Sequence, residues 1–131
     1  MKDFIYINEY IFPVKIAITP EEQSYGLMNC KEPMIMAFPG KKQIKNFWMK
    51  DTILPLDLIF ACDGVITDRQ KGVPYSLENI TSPHSSDLVV EFPEGVLDHF
   101  PISLGDKIHI KYSIKTVAKK YDYNLYKKGM L

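Results

Sequence analysis

Residues 47–57 hold the densest group of chemically useful side chains in the chain, in the order Phe-Trp-Met-Lys-Asp-Thr-Ile-Leu-Pro-Leu-Asp. On a strand, Trp48 and Lys50 point to the same face. An indole ring stacks on a sugar or another flat ring, and a lysine beside it offers three hydrogen-bond donors. The pattern predicts a site for a small polar ligand or a carbohydrate, with Trp48, Lys50, Asp51 and Asp57 as its residues.

Two other interpretations of this segment stay open. Asp57 lies in an apolar run, where a buried carboxylate needs a partner, and Lys50 is placed to provide one across a turn. The two residues are then either a pair that stabilises the fold, with Trp48 as a core anchor, or the acid–base pair of an enzyme. We assign no catalytic residue from the sequence alone.

A polar loop is expected near this site. Residues 81–87 read Thr-Ser-Pro-His-Ser-Ser-Asp and contain a serine, a histidine and an aspartate. Catalytic triads are assembled from distant segments, and a polar run beside a proline is typical of a loop. We therefore interpret the run as a loop that places His84 at the rim of the ligand site.

The sequence predicts no metal ion and no cofactor. The three histidines lie far apart, whereas a zinc or iron site needs three or four converging ligands. Cys30 and Cys62 do not make a disulfide framework, and we interpret both as inert thiols in a reducing compartment. The chain also lacks a glycine-rich loop of the kind that binds phosphates.

The C-terminal residues are basic and rich in tyrosine. Residues 111–131 hold six lysines and one aspartate, a net charge of +5, whereas residues 1–110 hold ten bases and fifteen acids, a net charge of −5. Such a terminus is either simply solvated or docks on another protein or a second copy; nucleic acid is disfavoured because the segment has no arginine. The predicted docking residues are seven of the lysines and tyrosines of this segment: Lys115, Lys119, Lys120, Tyr121, Tyr123, Lys127 and Lys128.

The elements that position these residues are predicted to be mostly strands. Nine prolines and seven glycines divide the chain into short segments rich in β-branched and aromatic residues. Residues 20–26 are the exception, because Thr19 and Glu22 form a capping-box pattern around Pro20. The dipeptide at residues 63–64, Asp-Gly, predicts a β-hairpin turn, and residues 107–117 are predicted to form one long final strand.

These signals predict an all-β fold, a jelly-roll-like β-sandwich or small barrel with one short helix near residues 20–26. A length of 131 residues fits a single domain, which we place at residues 1–117, followed by a C-terminal extension over residues 118–131. The longest apolar stretch is too short and too interrupted to span a membrane. Because the N-terminal residues include acids where a signal peptide is apolar, we expect a cytoplasmic location or incorporation into a particle assembled inside the cell.

Four motifs of the chain resemble domain-of-unknown-function family 192, a small bacterial and archaeal domain. They lie at residues 19–28, 34–39, 47–60 and 90–106, and the resemblance covers about residues 14–110. The block Phe-Trp-Met-Lys-Asp-Thr is its most distinctive part. The resemblance implies an all-β, jelly-roll-like fold but no reaction, so no residue inherits a catalytic role.

The function predicted from the sequence is a non-enzymatic binding or interaction module, with a ligand site around the Phe-Trp-Met-Lys block. One alternative is a structural or assembly protein of a larger complex, for example a virion, that docks through its basic extension. The other alternative is an enzyme that uses Lys50 and Asp57 as an acid–base pair.

Overall fold

The computed structural model describes residues 2–129, and within this range the chain forms nine strands, two α-helices and one 3₁₀ turn. The strands are β1 (Asp3–Ile7), β2 (Tyr10–Ile16), β3 (Met36–Gln43), β4 (Asn46–Phe47), β5 (Leu56–Cys62), β6 (Val65–Gly72), β7 (Ile80–Thr81), β8 (Ser86–Pro93) and β9 (Ile108–Lys111). The helices are α1 (Pro20–Tyr25) and α2 (Ile114–Lys127), and the 3₁₀ turn covers Val96–His99.

Seven of the strands form one sheet in the order β6-β5-β8-β3-β2-β1-β9, and β4 pairs separately with β7. All neighbours are antiparallel except β2 and β3, whose crossover contains α1. The edge strands approach each other at an isolated bridge between Val65 and Lys107, where the Ile66 N–H donates to the Asp106 carbonyl at 2.9 Å. Because this contact is not a full ladder, the sheet is not a closed barrel.

The predicted predominance of β-structure is confirmed, and the finer jelly-roll arrangement is not. A jelly roll packs two sheets against each other, whereas here seven strands share a single sheet. Both faces of that sheet are covered. Along β5, Leu58 and Phe60 point into one hydrophobic core, and Ile59 and Ala61 point into another.

The two cores differ in what encloses them. The first core lies against β1, β2 and β9 and includes Ile5, Phe12 and Phe92. The second core lies on the other face of β3, β5 and β8. It is covered by Leu27, which follows α1, and by Met49, which follows β4. A surface cleft opens over this second core.

The short helix predicted near residues 20–26 is present as α1, and its capping box is complete. The Thr19 hydroxyl accepts a hydrogen bond from the Glu22 N–H at 3.2 Å, and the Glu22 carboxylate accepts one from the Thr19 N–H at 3.0 Å. The predicted hairpin is also confirmed, because Asp63 and Gly64 have positive φ angles of 52° and 77° and join two paired strands.

The prediction of one long strand over residues 107–117 is wrong beyond Lys111. Ser113 starts α2 by accepting a hydrogen bond from the Thr116 N–H at 3.2 Å. The Asp3 carboxylate in turn accepts hydrogen bonds from the Ser113 N–H at 2.6 Å and the Thr116 hydroxyl at 2.7 Å. The prediction of only one short helix is therefore incomplete, and the domain boundary placed at residue 117 falls inside α2.

Helix α2 is a surface element. Among residues 2–129, no helix has both the length and the apolar character needed to cross a membrane.

Candidate functional site

A cleft of about 600 Å³ opens over the second core, between α1, the connection from β3 to β4, and residues 47–52. We call it the α1–β4 cleft. Its volume lies within the range of small-molecule binding sites. Aromatic side chains contribute much of the lining, namely Tyr25, Phe38, Phe47 and Trp48. The polar lining residues are Gln23, Ser24, Gln43, Lys45, Asn46, Thr52 and Glu91.

Trp48 reaches the cleft because its neighbour Met49 is anchored in the second core. Met49 is fully buried, and its backbone N–H donates to the Ser76 carbonyl at 3.0 Å. Its side chain lies so close to Gly72 that a Cβ there would come within 2.6 Å of the Met49 sulfur. The strand geometry expected for Trp48 and Lys50 is not found, because β4 ends at Phe47, but both residues are exposed, Trp48 by 47%.

Lys50 and Asp51 adjoin Trp48 but do not line the cleft. The Lys50 ammonium lies 5.3 Å from the centroid of the Trp48 ring, a cation–π distance. Asp51 is exposed with a φ of 53°, and its carbonyl accepts a hydrogen bond from the Asn29 N–H at 2.8 Å. His84 is exposed in the turn before β8, and it is not among the cleft residues either.

The predicted pair between Lys50 and Asp57 is wrong. Asp57 is fully buried, and its carboxylate accepts hydrogen bonds from Arg69 Nη2, Lys71 Nζ and the Gly95 N–H, each at 3.2 Å. Residues 57 and 71 are directly opposite in the β5–β6 ladder, which explains why the neighbouring strand provides the cations. Asp57 therefore holds the turn after β8 in place, and the proposed acid–base pair is not formed.

Glu91 is the residue of this site that the sequence analysis did not single out. It is 4% exposed and lines the α1–β4 cleft, with the apolar residues Met36 and Leu58 as its register neighbours on β3 and β5. Among residues 2–129, its carboxyl group forms no hydrogen bond or ion pair. Its oxygens are open to the cleft, because the one sealed side-chain polar atom without a partner in this part of the chain is Ser86 Oγ. Burial raises the pKa of Glu91 to about 8, so the carboxyl group is mainly protonated at neutral pH.

Three other polar residues shape the cleft. The Gln23 amide donates to the Ala17 carbonyl at 3.1 Å and to the Pro39 carbonyl at 2.8 Å, which fixes α1 against the sheet. The Thr52 hydroxyl is buried and is held by the backbone of the same loop. Lys45 is half-buried, and burial lowers the pKa of its ammonium group.

One group of three potential metal ligands occurs within the described part of the chain, at the far end of β5. The ligand atoms of Cys62, Asp63 and Asp87 lie within 4.8 Å of one another. The Lys42 ammonium already contacts Asp63 at 2.5 Å. Burial and the two nearby carboxylates raise the pKa of the Cys62 thiol, which favours its protonated form.

Some of the predicted docking residues of α2 contact other residues of the chain, and the others are exposed. Lys119 forms an ion pair with Glu22 at 2.6 Å, and Lys120 lies 4.1 Å from the centroid of the Tyr112 ring. Lys127 lies 5.0 Å from the centroid of Tyr123. These contacts bind α2 to its own domain or stay within the helix. Lys115, Lys128 and Tyr121 are exposed.

An apolar stripe lies on the exposed side of α2. Ile114, Val117 and Tyr121 follow the three- and four-residue spacing of one helix face and are 78%, 52% and 64% exposed. The half-buried side carries Thr116, Lys120 and Tyr123, so the helix leaves apolar side chains exposed while two polar ones lie on its half-buried side.

Comparisons with known proteins agree on the fold and give no activity. The sequence model of DUF192, described as uncharacterized ACR, matches residues 5–110. A solved structure of a protein of unknown function from Novosphingobium aromaticivorans is 26% identical, with a TM-score of 0.74 over 83% of this chain and 84% of that chain. A second, from Sinorhizobium meliloti and described as a candidate transcription regulator, is 28% identical, with a TM-score of 0.76 over 83% of this chain and 93% of that one. No curated protein matches the chain.

Proposed function

The chain belongs to the DUF192 family, and on that premise we propose that it is a non-enzymatic binding module whose small polar ligand occupies the α1–β4 cleft. One observation carries the proposal. A cleft of ligand size contains a buried carboxyl group without a partner, Glu91, together with an exposed indole, Trp48. The oxygens of this carboxyl group open on the cleft, so a polar group of a ligand that enters the cleft can hydrogen-bond to them.

The cleft combines four aromatic side chains with seven polar residues, a lining that suits a polar ligand with a flat apolar face. Trp48 offers a flat surface, while Gln43, Lys45 and Glu91 provide hydrogen-bonding groups. A carbohydrate, the ligand suggested by the sequence, uses the same combination. Lys50 and Asp51 stay in the proposal as rim residues beside Trp48. Asp57 and His84 lie elsewhere and do not enter it.

The single tryptophan makes the proposal testable by fluorescence. We expect the emission of Trp48 to shift on titration with at least one member of a panel of neutral sugars, amino sugars, small amines and carboxylates. Ser24→Phe should fill the cleft and abolish the shift, because Ser24 is an exposed residue of α1 that lines it.

Ser85→Phe is the matched control, since Ser85 is equally exposed but lies outside the cleft. It should leave the response unchanged. The proposal fails if no compound shifts the wild-type emission, or if the Ser24→Phe variant, correctly folded, responds like the wild type.

A second candidate function is assembly with further copies of the same chain. The observation that favours it is the apolar stripe of α2, which points away from the domain. The occupant we propose is the body of a second copy, because residues 111–131 carry +5 and residues 1–110 carry −5. Assembly into a larger particle, the alternative suggested by the sequence, would use the same surface.

The description of one relative as a transcription regulator is not carried over to this chain. DNA-binding proteins neutralise several phosphates with free cations. Here Lys119 pairs with Glu22 and Lys42 pairs with Asp63, so part of the positive charge is already used within the chain.

A further inference from the structure

We propose that the α1–β4 cleft selects a small organic cation with an ammonium group, quaternary as in choline or protonated as in an amino sugar, and that the Glu91 carboxylate receives it. This inference rests on the proposed function, because it names the ligand class of the same cleft. It goes further because it assigns the charge of the ligand and the residue that recognises that charge.

The first argument is the isolation of Glu91. The residue is 4% exposed and lies between Met36 and Leu58, which are both apolar and buried. A buried carboxyl group in such surroundings either keeps its proton or pairs with a cation. No cation of residues 2–129 pairs with it, so the group keeps its proton at neutral pH without a ligand, and a cationic ligand in the cleft would supply the partner of the charged form.

The second argument is the aromatic lining. Tyr25, Phe38, Phe47 and Trp48 all line the cleft, and Phe38 and Phe47 meet edge-to-face with centroids 5.2 Å apart. Aromatic faces carry a negative potential that attracts ammonium groups and disfavours anions. The Lys50 ammonium near the Trp48 ring shows that this indole accepts a cation within the chain itself.

The titratable groups around Glu91 are few. The Tyr25 phenol lines the cleft from α1, and Lys45 lines it from the β3–β4 connection. The strands on either side contribute only Met36 and Leu58 at the matching positions. Burial accounts for the raised pKa of Glu91, so the ionisation of this carboxyl group depends on whether a cation enters the cleft.

Proton release follows from this arrangement. The ligand binds the carboxylate form, so the proton of Glu91 leaves to the buffer when the cation arrives. With a Glu91 pKa of about 8, about 0.9 proton is released per ligand at pH 7, and about 0.1 at pH 9. Below pH 7, the affinity for the cation increases about tenfold for each unit by which the pH is raised. Above pH 8, this affinity levels off.

Isothermal titration calorimetry of the wild-type protein with choline chloride measures both the affinity and the number of protons released. Titrations at pH 7 in phosphate and in Tris, whose ionisation enthalpies differ, report the protons released per ligand. Glucose serves as a neutral reference ligand. We expect choline binding with proton release, and no proton release with glucose.

Glu91→Gln keeps the shape of the side chain but removes the charge. In this variant we expect choline affinity to fall at least tenfold at pH 8, and the pH dependence to disappear. Glu78→Gln is the matched control, because it makes the same substitution at an exposed glutamate outside the cleft, and it should bind choline as tightly as the wild type. The two-buffer experiment needs no variant, so it stands even if Glu91→Gln folds poorly.

The outcomes separate this inference from the proposed function. Choline binding without proton release overturns the inference, because Glu91 then does not receive the cation. If glucose or a carboxylate binds and choline does not, the inference fails while the proposed function holds. If no member of the panel binds, both fail.

Discussion

Two buried carboxyl groups on neighbouring strands show how the surroundings of a residue decide its role. Asp57 on β5 is fully buried and has three donors, including the guanidinium of Arg69. Glu91 on β8 is almost as deeply buried and has none. A buried charge with donors on every side is structural, whereas a buried acid beside an open cleft is available to a ligand.

Glu91 should make the stability of the ligand-free protein depend on pH. Its pKa is about 8 in the folded state, against 4.5 for the ordinary glutamate, so the folded state binds more protons between these values. The free energy of unfolding should therefore fall as pH rises from about 4.5 to about 8, by on the order of a few kcal/mol, and then level off. Urea unfolding at pH 5.5 and pH 8.5 measures this change.

Glu91→Gln should remove most of that dependence and raise stability at pH 8.5. Glu78→Gln is the control, because Glu78 is exposed and its carboxylate makes no hydrogen bond within residues 2–129. Equal slopes of stability against pH in the wild type and in Glu91→Gln would contradict the prediction.

The Glu22 carboxyl group affects stability in a lower pH range. Burial alone would raise its pKa, but hydrogen bonds from Lys119 and the backbone hold it at about 2, so its contribution is lost only as pH falls below about 4.5.

At the scale of elements, the segment that carries Trp48 is positioned by one packing contact. Met49 fills the space above Gly72 on β6, and this contact holds the segment against the second core. A side chain at position 72 is incompatible with that arrangement, because its Cβ would lie 2.6 Å from the Met49 sulfur and 3.3 Å from Leu58.

Gly72→Ala should therefore destabilise the protein by about 1–3 kcal/mol and change the emission of Trp48. Gly40→Ala is the matched control, since the added Cβ there meets only the mobile ammonium end of Lys45. It should change stability by less than about 1 kcal/mol. The comparison uses urea unfolding followed by tryptophan fluorescence, and equal effects of both substitutions would contradict the role assigned to Met49.

Local signals in the sequence predicted individual elements well. The capping box of Thr19 and Glu22 and the Asp-Gly turn after β5 each depend on residues close together in the chain. The partner of Asp57 was not predictable, because Arg69 and Lys71 come opposite it only through the β5–β6 register.

Glu91 was missed for a related reason. The run Leu-Val-Val-Glu-Phe shows that a charge interrupts an apolar strand, yet it does not show that both faces of β8 are buried. Helix α2 was missed because the alternation of Ile108 and Ile110 continues by chance into Tyr112 and Ile114. The cap at Ser113 outweighs that pattern, and its second support, Asp3, lies at the other end of the chain.

For the molecule as a whole, the separation of charge between body and α2 predicts association. If the stripe of α2 docks on the body of a second copy, the wild-type protein should form dimers or larger species that weaken at high salt. Sedimentation velocity over a range of protein and salt concentrations measures this. Substituting both Val117→Gln and Tyr121→Gln should yield monomers, because it removes apolar area without adding charge.

Leu104→Gln is the control for that experiment. Leu104 is 60% exposed, like the stripe residues, but it lies in the turn before β9. It should associate like the wild type. A wild-type protein that sediments as a monomer at every concentration and salt tested would rule out the docking of α2 on a second copy.

The pairing of β1 with β9 also constrains how the chain can fold during synthesis. Strand β1 leaves the ribosome early, but Phe4 pairs with Lys111, and Asp3 caps a helix that follows β9. Until those residues are made, one edge of β1 and its apolar side chains lack their final partners. Such long-range pairing slows folding and exposes strand edges to other chains. Nascent chains of this protein should therefore be substrates for chaperones that hold unpaired strands.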